Sequence, residues 1–167
     1  MRNIVIGAVV GAIVGAAVAS AIVGNGMPKS AVAAATPAAT ASKKDAVHRV
    51  VLHVDDNDPA RMNLALNNAS NVLDHYREKG QLAEVEIVAY GPGLHMLRSD
   101  TSPVKDRIAK MKKAMDGLEF VACGNTMTNM GKAESKEIAI LPEAKIVKTG
   151  VVHLMERQQE GWNYVRP

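Results

Sequence analysis

Aromatic residues are scarce in this chain: one Trp, one Phe and three Tyr make up only 3% of its 167 residues. So low a content offers no obvious aromatic partner groove. The formal net charge of +3 is a mild basic bias. With no arginine-rich or aromatic-interleaved stretch to support it, that bias does not point to nucleic acid. A single cysteine, Cys123, excludes a disulfide within the chain, so the thiol is free, blocked or shared with another molecule. No G-x-S-x-G elbow is present, which argues against a Ser-His-Asp hydrolase. Gly91-Pro92-Gly93 lacks the full G-x-G-x-x-G spacing, and Pro92 removes one backbone donor, so no dinucleotide fingerprint exists. Asp55, Asp56 and Asp58 lie close together but lack the ordered spacing and distal Glu of a calcium loop. They read as a solvated turn, and no metal site is expected.

What is present divides the chain into three. Residues 1–25 begin Met1-Arg2-Asn3 and then run from Ile4 to Gly24 without a charge, about the length needed to span a bilayer. A positive start, an apolar run and small residues such as Ala31-Val32-Ala33 are the parts of a signal peptide. The run exceeds a usual signal core, so a retained transmembrane anchor is the other reading. Gly7, Gly11, Gly15 and Ala19 form a small-xxx-small face suited to close helix approach. Either reading places the remainder outside the cytoplasm, in the periplasm, tethered to the inner membrane or released after cleavage. Residues 26–45 are rich in Ala, Thr and Pro with little charge, a composition that cannot bury a core and reads as a flexible tether. Residues 46–167 hold one ordinary globular domain, with no room for a second.

Within that domain Val47–Val54 is β-branched and apolar and stops at an acidic turn, which predicts a first strand. Asp58-Pro59 is a cap followed by a first-turn proline. Met62, Ala65, Leu66, Ala69, Val72, Leu73 and Tyr76 then recur at helical spacing until Gly80. Val85–Tyr90 predicts a second strand, Leu94–Leu97 a short helix, and Ser102-Pro103 a second cap before a helix carrying Val104, Ile108, Met111 and Met115. Lys110, Lys112 and Lys113 belong to the wet face of that helix. Leu118–Cys123 is a short apolar run bounded by glycines, hence a buried strand, with a helix expected to begin near Asn125 or Thr126. Polar residues follow to a capped turn at Ser135–Ile138. Ala144–Lys148 is a fourth strand, Val151, Val152, Leu154 and Met155 line a last helix ending near Gly161, and Trp162–Val165 is a terminal strand. Alternating strands and helices predict an α/β domain, a three-layer α/β/α sandwich on a mostly parallel sheet, preceded by the N-terminal hydrophobic helix.

This arrangement puts Cys123 at the carboxyl end of a strand, the edge where ligands collect in open α/β sheets. A helix starting just after it turns free N–H groups and a positive dipole end towards the sulfur, which favours the thiolate. A buried structural cysteine is the competing reading. Asn125, Thr126 and the backbone N–H groups of the turn are candidates to hold a thiolate or persulfide, with Gly91-Pro92-Gly93 as the facing wall. His53 and His95 fall near strand ends and are candidate bases or charge partners. The simpler reading of each is a hydrogen-bonded structural histidine, since no paired spacing suggests a metal. His48, His75 and His153 carry less signal. Ligand softness would also allow copper on Cys123 with His or Met, but no spacing requires it.

Four stretches, Val50–Val54, Val88-Ala89-Tyr90-Gly91-Pro92-Gly93-Leu94, Ala122-Cys123-Gly124-Asn125-Thr126 and Gln158–Pro167, occur in an order and spacing that resembles the DsrE/DsrF-like family. That family includes sulfur-relay subunits of the TusBCD type and small YchN-like proteins. The resemblance spans about Ala46 to Pro167. It implies a flavodoxin-like fold, trimers or hexamers, no cofactor, and a cysteine that receives and passes on a persulfide sulfur. Cys123 matches that cysteine. Substrate contacts are implied at Gly124, Asn125, Thr126, Tyr90, Gly91, Gly93 and His95. Tyr90 stands where many relatives carry His, and the export segment is foreign to the cytoplasmic relay proteins. The function expected is a single-cysteine persulfide carrier or sulfurtransferase, working with donor and acceptor proteins or small thiols. The alternative is a noncatalytic oligomeric scaffold or small-ligand module of a membrane complex.

Overall fold

The computed structural model describes residues 46–167. The apolar segment 1–25 and the tether 26–45 lie outside the described residues. Among the described residues no helix is long and apolar enough to cross a membrane.

Five strands form one sheet in the order β4-β3-β2-β1-β5: β1 His48–Val54, β2 Ala83–Ala89, β3 Leu118–Cys123, β4 Ala144–Val147 and β5 Asn163–Val165. Every pairing is parallel. Side chains alternate across the strands, so two faces can be followed through the register. Val50, Leu52 and Val54 share one face with Val85, Ile87, Ala89, Leu118, Phe120 and Ala122. The main core lies on this side. It is covered by α1 (Pro59–Glu78) through Met62, Ala65, Leu66, Ala69 and Leu73, and by α2 (Lys105–Ala114) through Ile108 and Met111. Met127 and Met130 of α3 (Gly124–Glu134) pack against the same core. Fully buried residues such as Leu66, Ile87 and Phe120 each contribute about 1.5–3 kcal/mol of transfer free energy.

The opposite face carries Val51, Val88 and Val121 under Leu154 of α4 (Gly150–Gln159). It also carries a buried carboxylate, Glu86, held by Lys145 at 2.6 Å, His153 at 2.6 Å and Arg157 at 2.9 Å. Burial alone would raise the Glu86 pKa. The bonds from Arg157, Lys145 and His153 outweigh it and bring the value down to about 2.

Local signals explain most boundaries. Asp58 Oδ1 accepts from the Ala60 N–H at 2.9 Å and Pro59 occupies the first turn, as the sequence predicts. One expectation fails. The Ser102 hydroxyl donates to Met96 O and accepts from Val104 N, so it closes a loop, and the helix starts later, at Lys105. The helix expected after Cys123 is present as α3, which runs from Gly124 to Glu134, and Ser135 ends it in a left-handed conformation with φ of 50°. That helix buries no residue fully, so no strong apolar stripe marks its length. It is fixed at its carboxyl end by buried Arg98, whose guanidinium forks between Glu134 and Asp100.

Candidate functional site

The route of the chain creates a crevice at Cys123. From β3 it turns into α3, which packs on the main core face. From β4 it turns into α4, which packs on the other. Adjacent strands whose following helices leave to opposite faces form the switch point at which α/β sheets bind ligands, and Cys123 ends the first of this pair.

Two helix starts therefore converge on one sulfur. Cys123 is the N-cap of α3, and its Sγ accepts from the Thr126 N–H at 3.4 Å. Burial alone would push the thiol pKa up. Hydrogen bonds from the Thr126 hydroxyl and from the N–H groups of Gly150, Thr126 and Asn125 outweigh burial, and the net shift is down. Gly150 is the first residue of α4, so both helix dipoles favour the sulfur anion. The Asn125 N–H also donates to Lys148 O at 3.0 Å, which ties the two loops together.

Thr126 does more than face the sulfur. Its Oγ1 accepts the Gly91 N–H at 3.1 Å, leaving the hydroxyl proton for Cys123. Gly91, with φ of 51°, sits where the chain leaves β2 for a 3-10 helix over Gly91–Leu97. Gly93 has no Cβ because the chain passes against β1: a Cβ there would lie 2.2 Å from Val54 O. Gly91 thus contacts the site, whereas Gly93 sets the path of the turn. Gly124 fits closely beneath β4, where a Cβ would lie 3.1 Å from Val147 O. His95 hydrogen bonds through Nδ1 to Thr101 Oγ1 at 2.8 Å.

The structure adds residues that sequence reasoning missed. Gly150 is one: a Cβ there would lie 3.1 Å from Tyr90 Cβ and 3.2 Å from Cys123 Cβ, so Tyr90 and Cys123 flank one backbone. The Thr149-Gly150 break was its only trace. A second is Tyr164, whose hydroxyl meets His53 Nδ1 at 2.8 Å. The His53 ring stacks on Tyr90 with centroids 4.5 Å apart and 19° between planes. His53 Nε2 faces Asp55 Oδ2 at 3.7 Å, and Arg166 holds Asp55 with contacts of 2.9 and 3.1 Å. Burial lowers the His53 pKa more than Asp55 raises it, so the ring stays neutral near pH 7. A neutral ring that accepts the Tyr164 O–H on Nδ1 keeps its own proton on Nε2, towards Asp55. A cavity of about 510 Å³ lies at the opposite sheet edge between Val47, Leu73, Leu82 and Met115. No group of three or more His, Cys, Asp or Glu able to hold a metal occurs among the described residues.

Residues 46–167 match the model of the DsrE/DsrF-like family. The chain belongs to this family. A solved structure, described as a protein of unknown function, MTH1491, from Methanobacterium thermoautotrophicum, is similar at 32% identity with a TM-score of 0.61. The match covers 72% of this chain and 99% of that one. No curated protein matches the chain. The α/β fold of five parallel strands is consistent with the flavodoxin-like architecture that the resemblance implied. In this DsrE-like domain the lone cysteine occupies the switch point of the sheet.

Proposed function

We propose that this DsrE-like domain is a persulfide sulfur carrier, with Cys123 as its nucleophile. The observation that carries the reading is the hydrogen bonding of the sulfur. A cysteine inert in an apolar core has its pKa raised by burial, whereas here donors from two helix starts reverse that effect.

The chemistry follows from a single thiolate. Cys123 attacks the outer sulfur of a donor persulfide or polysulfide. A new S–S bond forms on Sγ, the donor S–S bond breaks, and its electron pair leaves on the donor thiolate, which takes a proton from solvent. An acceptor thiolate then attacks the outer sulfur, and Cys123 leaves as the anion that Thr126, Asn125 and Gly150 stabilise. Neither step changes the overall oxidation state. With no second cysteine in the chain, the acceptor is another protein or a small thiol.

The exposed apolar side chains Ile146, Val151, Val152 and Met155, on β4 and α4 beside the crevice, support assembly into a homo-oligomer through this edge. The N-terminal segment supports delivery to the periplasm, tethered or released. The test is intact-mass spectrometry after incubation with polysulfide. Wild type gains one sulfur mass that a thiol reductant removes, and Cys123→Ser gains none. Absence of the adduct, with the thiol alkylated only after denaturation, would return Cys123 to the core and favour the noncatalytic scaffold.

A further inference from the structure

Among the polar groups near Cys123 is the hydroxyl of Tyr90. Tyr90 follows β2, whose last paired residue, Ala89, stands opposite Ala122, so Tyr90 stands opposite Cys123 in the register. Its backbone N–H is used by Val54 O at 3.2 Å. Its hydroxyl makes no hydrogen bond to any described residue. Its ring is stacked on His53 and lies close to Gly150, where a Cβ would come within 3.1 Å of Tyr90 Cβ and Cδ1. His53 in turn is 6% exposed, gripped at Nδ1 by Tyr164, with Nε2 buried and unbonded 3.7 Å from Asp55. A buried polar ring atom left unbonded carries a desolvation cost.

We propose that the Tyr90 hydroxyl donates a hydrogen bond to the outer sulfur of the Cys123 persulfide, and that His53 is the positioning residue that fixes the Tyr90 ring over the crevice. The inference rests on the persulfide reading of Cys123 and assigns the second sulfur its own partner. The donors already on Sγ hold the inner sulfur, which is the anion before loading and after discharge. Once loaded, the charge resides on the outer sulfur, beyond the reach of groups aimed at Sγ. Tyr90 is suited to meet it: burial first, then the charges of Asp55, Tyr164 and Cys123, raise its pKa, so the phenol keeps its proton. No proton is transferred and no bond changes in this contact. It holds the persulfide as its anion until an acceptor arrives.

The experiment loads the full chain with polysulfide, removes the excess, and follows the persulfide by ultraviolet absorbance across pH and by intact mass during reduction with dithiothreitol. In Tyr90→Phe the packing is preserved and only the hydroxyl is lost. The titration of the persulfide is expected to move to higher pH and its loss to dithiothreitol to become about tenfold faster, as removal of one hydrogen bond to a charged group implies. His53→Asn, which loses the stack, is expected to follow Tyr90→Phe, and His53→Phe, which keeps it, to restore wild-type behaviour. A merely structural role for His53 would not yield that rescue with the titration. If wild type loads and Tyr90→Phe matches it in both readouts, the Tyr90 assignment is overturned while the carrier reading stands. If His53→Phe behaves as His53→Asn, the positioning role is overturned. If wild type does not load at all, the carrier reading fails and this inference fails with it.

Discussion

Replacing Thr126 by Val is the sharpest local test of how the thiolate is held. The substitution keeps the shape of the side chain and the Thr126 N–H bond to Sγ at 3.4 Å, but removes the hydroxyl. Two interactions go with it: the O–H bond to the sulfur, and the acceptor for the Gly91 N–H at 3.1 Å. A hydrogen bond to a charged group contributes about 1.5–3 kcal/mol. Loss of the first therefore reduces the thiolate fraction by roughly ten- to a hundredfold at a pH where the thiol is mostly protonated. Thiolate nucleophilicity rises as basicity rises, with a slope of about 0.4–0.5, which returns almost half of that on a logarithmic scale. The expected net effect is alkylation of native Cys123 slowed by roughly three- to tenfold. The half-buried Gly91 N–H, left without its acceptor, costs about 1 kcal/mol of stability. Iodoacetamide kinetics across pH read the first effect and thermal unfolding reads the second. A Thr126→Val variant whose native thiol reacts as fast as wild type at every pH would refute the claim that the hydroxyl supports the sulfur anion.

Gly150→Ala places a methyl 3.1 Å from Tyr90 and 3.2 Å from Cys123, so Tyr90 and Cys123 must give by a few tenths of an ångström and the contacts around the sulfur loosen. Persulfide yield by intact mass should fall while far-ultraviolet circular dichroism stays native. Glu86→Gln removes the counter-charge of Lys145, Arg157 and His153 and should cost about 2–3 kcal/mol, or a melting midpoint about 10 °C lower by calorimetry. The pKa of Glu86, at about 2 against an ordinary 4.5, corresponds to at most about 3 kcal/mol. That stability is fully present above pH 4.5 and lost as pH falls towards 2, so the acid limb of an unfolding curve should flatten in Glu86→Gln. His53 also has a lowered pKa, so its contribution is present above its ordinary value of 6.5 and lost as pH falls below it. The drop in melting temperature from neutral to mildly acid pH should therefore be smaller in His53→Phe than in wild type.

The strands were legible because each combines β-branched or apolar residues with a hard stop. Val50–Val54 ends at Asp55, Val85–Ala89 at the glycine turn, and Leu118–Cys123 at Gly124. Helix α1 was legible down to its cap because Asp58-Pro59 and the 3.6-residue apolar period agree. The start of helix α3 was legible from the break after Cys123, but its length was not, since its contacts with the core are two half-buried methionines and its N-cap is a cysteine, an unusual residue in that role. The site was half legible. Cys123, Asn125, Thr126 and Gly91 are near neighbours in sequence or follow a turn signal, and they meet in space. Gly150 and Tyr164 act across the sheet, and the pairing of β3 with β4 and of β1 with β5 that brings them in is set by tertiary packing. Ser102 misled for a related reason: the same hydroxyl that caps a helix can close a loop, and only the position of Met96 O decides.

As a proposed persulfide carrier, Cys123 must be able to give its sulfur away. The most direct measurement loads the full chain with polysulfide, removes the donor, adds a small acceptor thiol, and follows protein and acceptor by intact mass in a single turnover. The expected result is loss of one sulfur mass from the protein matched by one equivalent of acceptor persulfide, with Cys123→Ser inactive in both steps. A protein that never gains the sulfur, or a Cys123→Ser variant that gains and releases it equally well, would contradict it.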